Sequence, residues 1–269
     1  MAIGYDLMYD AFSKDQRAVI EDAFKTFAVD PGWAGMNKPE FWTDSNANWN
    51  PICQTGIRLC CYMLYDKDPE YYGQIITTAL NRQTHYYRAF EPDGQSAEGI
   101  GYFNYGFSFT ELGNQADLNV LGTDFGLMDT DGIRNAGWFP YRISGTAAGV
   151  SIGDEELHYA PNTSRIWLAS RFQDAGLAKL VYSDKIKSGS YEWRDLLFYD
   201  PELYQKAMSG TATMPQLDNY VRDIELVSFR NGWGTKDRFI SIHAGDNQAP
   251  HGHVDAGQVD IQANGICWV

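Results

Sequence analysis

Basic residues are scarce in this sequence. Its 269 residues include 21 Lys and Arg against 35 Asp and Glu, which gives a formal net charge of −14. Binding to nucleic acid depends on Lys and Arg that neutralise phosphates, and no basic stripe offsets the acidic excess. Long apolar runs are also missing, since none approaches the roughly 20 residues that cross a bilayer. These absences argue against a nucleic-acid partner and against a membrane partner.

Cysteine and histidine are rare as well, with four and five copies. Cys53, Cys60 and Cys61 fall in one apolar helical stretch, and no paired Cys-x-x-Cys spacing occurs. This pattern favours buried free thiols over a disulfide framework or a zinc knot. The sequence is nevertheless 44% apolar and 14% aromatic, which is ample material for a hydrophobic core.

Helix signals dominate the first two thirds of the chain. Ser13 to Gln16 has the pattern of a capping box, and Asn50-Pro51 and Asp68-Pro69 each place a proline just after an N-cap residue. Residues 139–152 suggest a hairpin around Ser144-Gly145. From Asp218 onward, apolar residues alternate with period two, which is typical of strands.

This order of elements predicts the α+β class, with helices first and antiparallel strands afterwards. The predicted boundaries are a helical domain over 1–185, a linker over 186–218, and the start of a β domain over 219–269.

Two histidines and a carboxylate lie between two stretches that alternate as strands, residues 238–243 and 258–262. If the chain is extended there, His251, His253 and Asp255 project from one face, because side chains alternate with period two. The alternative is a turn whose imidazoles only bond to the backbone.

Glycines interrupt a second stretch that is otherwise helical. Gly99, Gly101 and Gly106 each cost stability in a helix interior, so they indicate the close approach of a ligand or of another part of the chain.

Three segments together, residues 48–53, 98–106 and 245–257, resemble the heparinase II/III-like polysaccharide lyases. The resemblance implies an incomplete α/α toroid of helical hairpins over 1–185, followed by a truncated antiparallel β-sandwich. We therefore expect the chain to be a fragment of a longer enzyme and to be inactive alone.

The resemblance also implies β-elimination on glycans that contain uronate. Tyr102 and His251 would transfer protons, and Asn48 and Asn50 would neutralise the uronate carboxylate. The residues expected to contact substrate are Glu98, Tyr105 and Trp49. From the residues alone, Tyr102 could equally be a packing or sugar-stacking ring, and Asn50 a helix cap.

No cofactor is required by this chemistry. Some relatives hold a structural zinc ion, and the resemblance assigns His253 and Asp255 as its ligands here, with any further ligands expected beyond Val269.

Two alternative functions remain open. Glu98, Asp93 and Asp44 could serve an α/α-barrel glycoside hydrolase with paired carboxylates. The abundant Trp and Tyr could also serve a non-catalytic carbohydrate-binding protein. If the lyase reading is right, the shortage of basic residues favours an unsulfated or lightly sulfated uronate glycan, such as alginate or an unsulfated glycosaminoglycan.

Overall fold

The computed structural model describes residues 1–155 and 163–269, and in these ranges the helices precede the strands, as expected for the α+β class. The helices are α1 (Ala2–Leu7), α2 (Lys14–Phe24), α3 (Asp30–Asn37), α4 (Trp49–Leu64), α5 (Pro69–Arg88), α6 (Gly99–Leu121), α7 (Ile133–Ala136), α8 (Phe139–Arg142), α9 (Thr163–Phe172), α10 (Ala175–Ser188), α11 (Trp193–Leu197) and α12 (Pro201–Met208). The strands are β1 (Asn219–Val221), β2 (Leu226–Arg230), β3 (Arg238–His243), β4 (Gln258–Ala263) and β5 (Ile266–Cys267). In the described ranges, no helix is long and apolar enough to cross a membrane.

The chain forms two compact units. The first comprises Met1–Arg88 and Gly106–Leu127, and the second comprises Ala89–Tyr105 and Met128–Val269. Helix α6 therefore contributes its first turns to the second unit and its remainder to the first. The stretch 186–218, predicted as a linker, contains the end of α10 and all of α11 and α12.

Local signals set several helix starts in the first unit. The Ser13 hydroxyl accepts a hydrogen bond from the Gln16 amide while the Gln16 side chain accepts one from the Ser13 amide, so the predicted capping box is confirmed. The predicted cap at Asn50 is wrong, because α4 already begins at Trp49 with Asn48 as its N-cap residue. Cys60 and Cys61 are buried free thiols in α4, as expected, whereas Cys267 is exposed.

A buried ion pair joins three helices of the first unit. Arg58 in α4 donates to both carboxylate oxygens of Asp117 in α6, over 2.8 and 3.1 Å, and to the Gln83 side chain in α5 over 2.7 Å. The Tyr62 hydroxyl completes the network with a 2.6 Å hydrogen bond to Asp117. Both charged side chains are fully buried, so each charge is compensated by the other and not by water.

The second unit contains a five-stranded antiparallel sheet in the order β1-β2-β3-β4-β5. Burial alternates along β3, so that Phe239, Ser241 and His243 share the inner face. The pairing of β3 with β4 confirms the two predicted strands on either side of the histidine segment. The hairpin predicted for residues 139–152 is wrong: helix α8 occupies its start, and only one bridge forms, between Ser144 and Gly149.

The Arg58 network generates a stability prediction. Asp117→Ala should lower the free energy of unfolding by about 3–5 kcal/mol, because it leaves a buried guanidinium without its counter-charge. Lys25→Ala breaks the exposed pair with Asp30 and should leave stability nearly unchanged. Denaturant unfolding of both variants measures the contrast, and equal effects would contradict the assignment.

Candidate functional site

The histidine segment is a series of turns and not an extended strand. His251 has a left-handed backbone, with φ of 61°, so the expectation that His251, His253 and Asp255 share one strand face is wrong. The Asp246 carboxylate accepts a hydrogen bond from the Gln248 amide, and further turn bonds follow. An Asp side chain that bonds two residues ahead favours a turn over a strand, which explains the difference.

Tyr102 and His251 meet face to face in the second unit. Their ring centroids lie 3.7 Å apart and the rings are 13° from parallel. Tyr102 belongs to the first turn of α6, and His251 to the loop between β3 and β4. Two groups that can exchange protons are thus in direct contact, although they lie 149 positions apart in sequence.

Two carboxylates flank the imidazole of His251. Asp154 lies 3.3 Å from Nδ1, and Glu98 lies 3.5 Å from Nε2. Glu98 is buried, whereas the side chain of Asp154 is about half exposed. The ring nitrogens therefore each face a carboxylate on opposite sides.

Asp154 also lies close to the phenol, and its carboxylate acts on Tyr102 as well as on His251. Burial, followed by the nearby carboxylates, raises the pKa of Tyr102. Partial burial by itself would raise the pKa of Asp154, but its interactions with His251 and Tyr102 outweigh it and hold that pKa below its usual value. The phenol is consequently protonated and the Asp154 carboxyl ionised near neutral pH.

The segment Gly153 to Glu155 holds these groups together. The Asp154 amide donates to the His251 carbonyl over 2.9 Å, and the Gly153 amide donates to the Asp255 carboxylate over 2.9 Å. Gly153 has φ of 65°, and a Cβ there would lie 2.0 Å from the His251 carbonyl oxygen. Only glycine permits this approach of the two loops.

Glu155 attaches the same segment to the start of α6. Its carboxylate accepts hydrogen bonds from the amides of Ile100 and Gly101, two donors that have no partner inside the helix. Gly99 has φ of 81°, and a Cβ there would lie 2.5 Å from the Glu155 carboxyl carbon. The glycines at the start of α6 thus make room for a carboxylate of the protein itself.

Sequence reasoning missed Asp154 and Glu155. The glycines at 99 and 101 indicated a close approach, but nothing local named the approaching group. The available signal was the run of three acidic residues directly after Gly153, in a stretch without clear periodicity.

Asn48, Trp49 and Asn50 lie together in the first unit. Asn50 is fully buried and its amide nitrogen donates to the carbonyls of Thr43 and Arg82, over 3.0 and 3.1 Å. Both of its amide protons are therefore used, which leaves no donor for a carboxylate. The neighbouring Asn48 is buried, and its side chain does not cap α4.

The residues predicted to contact substrate have different surroundings. Trp49 is 48% exposed and packs edge-on against the exposed ring of Phe41, with centroids 5.4 Å apart. Tyr105 in α6 is exposed. Exposed aromatic rings of this kind can stack on sugars, whereas the buried Glu98 is directed towards His251.

The predicted zinc ligands do not form a complete site among the described residues, which contain no group of three His, Cys, Asp or Glu side chains able to hold a metal. Asp255 accepts the hydrogen bond from Gly153 and lies 3.9 Å from Nδ1 of the buried His243. The donors present do not fit a tetrahedral zinc centre on their own.

Two of the three carboxylates of the hydrolase alternative, Asp93 and Asp44, are bound to arginines. Asp93 accepts three hydrogen bonds from Arg222, and these bonds hold its pKa below the usual value. Asp44 pairs with Arg82 in the first unit. A glycosidase acid requires a raised pKa, so Asp93 does not suit that role.

Solved structures share this fold. A crystal structure of heparinase III matches over 82% of this chain and 34% of its own, with a TM-score of 0.58 and 13% identity. A heparinase III with methylated lysines matches over 84% of this chain and 32% of its own, with a TM-score of 0.54 and 16% identity. No family model and no curated protein matches the sequence.

These matches confirm the fold expected from the resemblance, that of the heparinase-like polysaccharide lyases. The chain spans about a third of the length of the two heparinase III structures.

Glu155 generates a pH prediction. Burial raises its pKa from 4.5 to about 7, outweighing the two amide hydrogen bonds, so the folded state keeps a proton that the unfolded state loses. Stability should therefore fall as pH rises from about 4.5 to about 7. Glu155→Gln removes this titration and should flatten the dependence by on the order of 1–3 kcal/mol. Urea unfolding of both proteins at pH 5 and pH 7.5 measures it, and parallel changes would contradict the shift.

Proposed function

We propose that this chain carries part of the active site of a polysaccharide lyase that cleaves uronate glycans by β-elimination. The observation that carries the proposal is the stack of Tyr102 on His251, with the Asp154 carboxylate 3.3 Å from Nδ1 of the imidazole. The shared fold with heparinase III supports the same class of reaction.

β-Elimination needs a base for the C5 proton and an acid for the leaving oxygen. We assign the acid to Tyr102, because its raised pKa keeps the phenol protonated at rest. His251 then accepts the C5 proton. The electrons of the C5–H bond form the C4–C5 double bond as the C4–O bond breaks, and the oxygen leaves with the phenolic proton.

Asp154 would act as a positioning residue in this scheme. Its carboxylate bonds to Nδ1 of His251, and a partner on one ring nitrogen fixes which nitrogen remains for catalysis. This hydrogen bond is long, at 3.3 Å, as is common before substrate tightens a site.

The C5 proton becomes acidic only when the uronate carboxylate is neutralised by donors. Asn50 has already given both amide protons to backbone carbonyls, so we assign this role to Asn48. Asn50 then serves to order the loop before α4.

The charges favour an unsulfated substrate. Two carboxylates, those of Glu98 and Asp154, flank the His251 imidazole of the Tyr102–His251 pair. A densely sulfated glycan would be repelled there, whereas one uronate carboxylate with matched donors is tolerable. We therefore propose alginate-like chains or unsulfated glycosaminoglycans as the substrate class.

Tyr102→Phe should reduce the rate of elimination by about 10² or more in the full-length enzyme, because it removes the proton carrier and keeps the ring. Substrate affinity should change little. Tyr220→Phe provides the control, since Tyr220 is exposed in β1 and its hydroxyl bonds to Glu225. Ultraviolet absorbance of the unsaturated uronate measures the rate.

His251→Ala should also lower that rate strongly. If both variants keep the parental rate and the released sugar is saturated, the lyase assignment is wrong and hydrolysis by Glu98 becomes the better explanation.

The two asparagines should respond differently. Asn48→Ala should lower turnover by about 10²–10³, as when one transition-state donor is lost. Asn50→Ala should lower the free energy of unfolding by about 1 kcal/mol, because the Arg82 carbonyl loses a donor and the Thr43 carbonyl keeps only that of Gln54. Steady-state kinetics and denaturant unfolding of both variants test the division, and the reverse pattern would restore Asn50 as the substrate contact.

A further inference from the structure

Asp255 lies near the end of the loop that carries His251, and its carboxylate bonds outside this loop. The loop, residues 244–257, joins β3 to β4. Oδ2 of Asp255 accepts a hydrogen bond from the Gly153 amide over 2.9 Å. Hydrogen bonds to a charged acceptor are roughly twice as strong as neutral ones. The side chain of Asp255 is only 19% exposed, so water competes little for this bond.

Two consecutive amides of the opposing segment donate to the loop. The Gly153 amide bonds to the Asp255 carboxylate, and the Asp154 amide bonds to the His251 carbonyl over 2.9 Å. A single hydrogen bond would leave this peptide free to turn about the bond axis, whereas two bonds from neighbouring residues also fix its direction. The bond to Asp255 therefore helps to determine where the Asp154 side chain meets Nδ1 of His251.

The sheet fixes the position of Asp255 in turn. The Gly257 amide donates to the His243 carbonyl over 2.7 Å, which attaches the end of the loop to β3, the strand between β2 and β4. The buried imidazole of His243 lies beside the carboxylate, with Nδ1 at 3.9 Å from Oδ1 of Asp255. This distance is too long for a hydrogen bond, so the ring limits the movement of the carboxylate by packing and leaves it bonded to Gly153.

We propose that Asp255 is a positioning residue for the Tyr102–His251 pair. Through Gly153 it directs the Asp154 carboxylate at His251, and the imidazole is thereby held in its stack on Tyr102. The inference rests on the proposed elimination reaction, because it gives Asp255 a part in that reaction. Asp255 acts here through the backbone of the protein and touches neither the substrate nor a metal ion.

This role and that of a metal ligand make different demands on residue 255. A backbone amide needs an oxygen acceptor, which the side chain of asparagine supplies as well as that of aspartate. A metal ion instead needs the deprotonated carboxylate. Asp255→Asn therefore distinguishes the two roles, whereas Asp255→Ala removes both.

The kinetic test uses the full-length enzyme. Asp255→Ala should lower kcat by about 10- to 100-fold and leave KM within about twofold, because small misplacements of reacting groups slow the chemical step and not binding. Asp255→Asn should keep kcat within about threefold of the parent, because the amide oxygen still accepts from Gly153. Asp237→Ala provides the control, since its carboxylate bonds to the Gly234 amide over 2.7 Å in the β2–β3 hairpin, and kcat should not change.

The stack can also be followed without turnover. Protons above an aromatic ring are shifted upfield, so the carbon-bound ring protons of His251 report the contact with Tyr102 in NMR spectra of histidine-labelled full-length protein. In Asp255→Ala these signals should move downfield, towards their position in Tyr102→Leu. In Asp255→Asn and Asp237→Ala they should keep the parental position.

Four outcomes would overturn the inference. The first is an unmoved His251 signal or a parental kcat in Asp255→Ala, and the second is an equal effect of Asp237→Ala. The third is an Asp255→Asn variant that is as impaired as Asp255→Ala and has lost a bound metal by elemental analysis, which would make Asp255 a ligand. If Asp255→Ala does not fold, Asp255→Leu keeps the side-chain volume without an acceptor, and unfolding of both variants would assign Asp255 to stability.

The two measurements also separate this inference from the proposed function. If the His251 signals respond as expected but no variant or parent releases an unsaturated sugar, the proposed function is wrong and the positioning by Asp255 stands as a structural fact. If the parent enzyme carries out elimination and the His251 signals ignore Asp255→Ala, the inference is wrong and the proposed function stands.

Discussion

The candidate site depends on one short segment, Gly153 to Glu155, which bonds to two otherwise separate elements. Glu155 holds the amides that begin α6, and Asp154 holds both the backbone and the side chain of His251. Tyr102 lies in α6 and stacks on His251, because both α6 and His251 are bonded to the segment Gly153 to Glu155. Without this segment, the Tyr102 phenol and the His251 imidazole would lose the hydrogen bonds that bring them into contact.

The chemistry of Tyr102 and His251 follows from the positions of the carboxylates around them. Carboxylates lie on both sides of the His251 imidazole and near the Tyr102 phenol. Burial and these negative charges disfavour the phenolate, so the pKa of Tyr102 is raised. The same carboxylates discourage polyanions of high charge density. An acidic chain can accordingly suit a uronate glycan while being poorly suited to heavily sulfated ones.

The Arg58–Asp117 pair and the Asp154–His251 pair differ in burial and distance. The first is a structural contact, and the second belongs to the candidate site. Arg58 and Asp117 are fully buried and meet at 2.8 Å, as expected where an ion pair holds helices together. Asp154 and His251 are partly exposed and meet at 3.3 Å. Short, buried and complete contacts resist change, whereas longer and accessible ones can rearrange around a ligand.

The sequence by itself determined the elements whose signals are local. The alternation of apolar and polar residues predicted β3 and β4, and the capping box predicted the start of α2. The glycines at 99 and 101 indicated a close contact. Three motifs in order also led to the fold of the heparinase III structures. These features depend on residues within a few positions of each other, where steric and hydrogen-bonding preferences act directly.

Which side chains of distant segments come into contact depends on the tertiary structure. Asp154 and His251 lie 97 residues apart, and Asn50 gives one amide proton to Arg82, 32 residues away. The left-handed backbone of His251 likewise arises from turn bonds that override the alternation of the flanking strands. Contacts of this range depend on the path of the whole chain, which no local pattern of charge or hydrophobicity encodes.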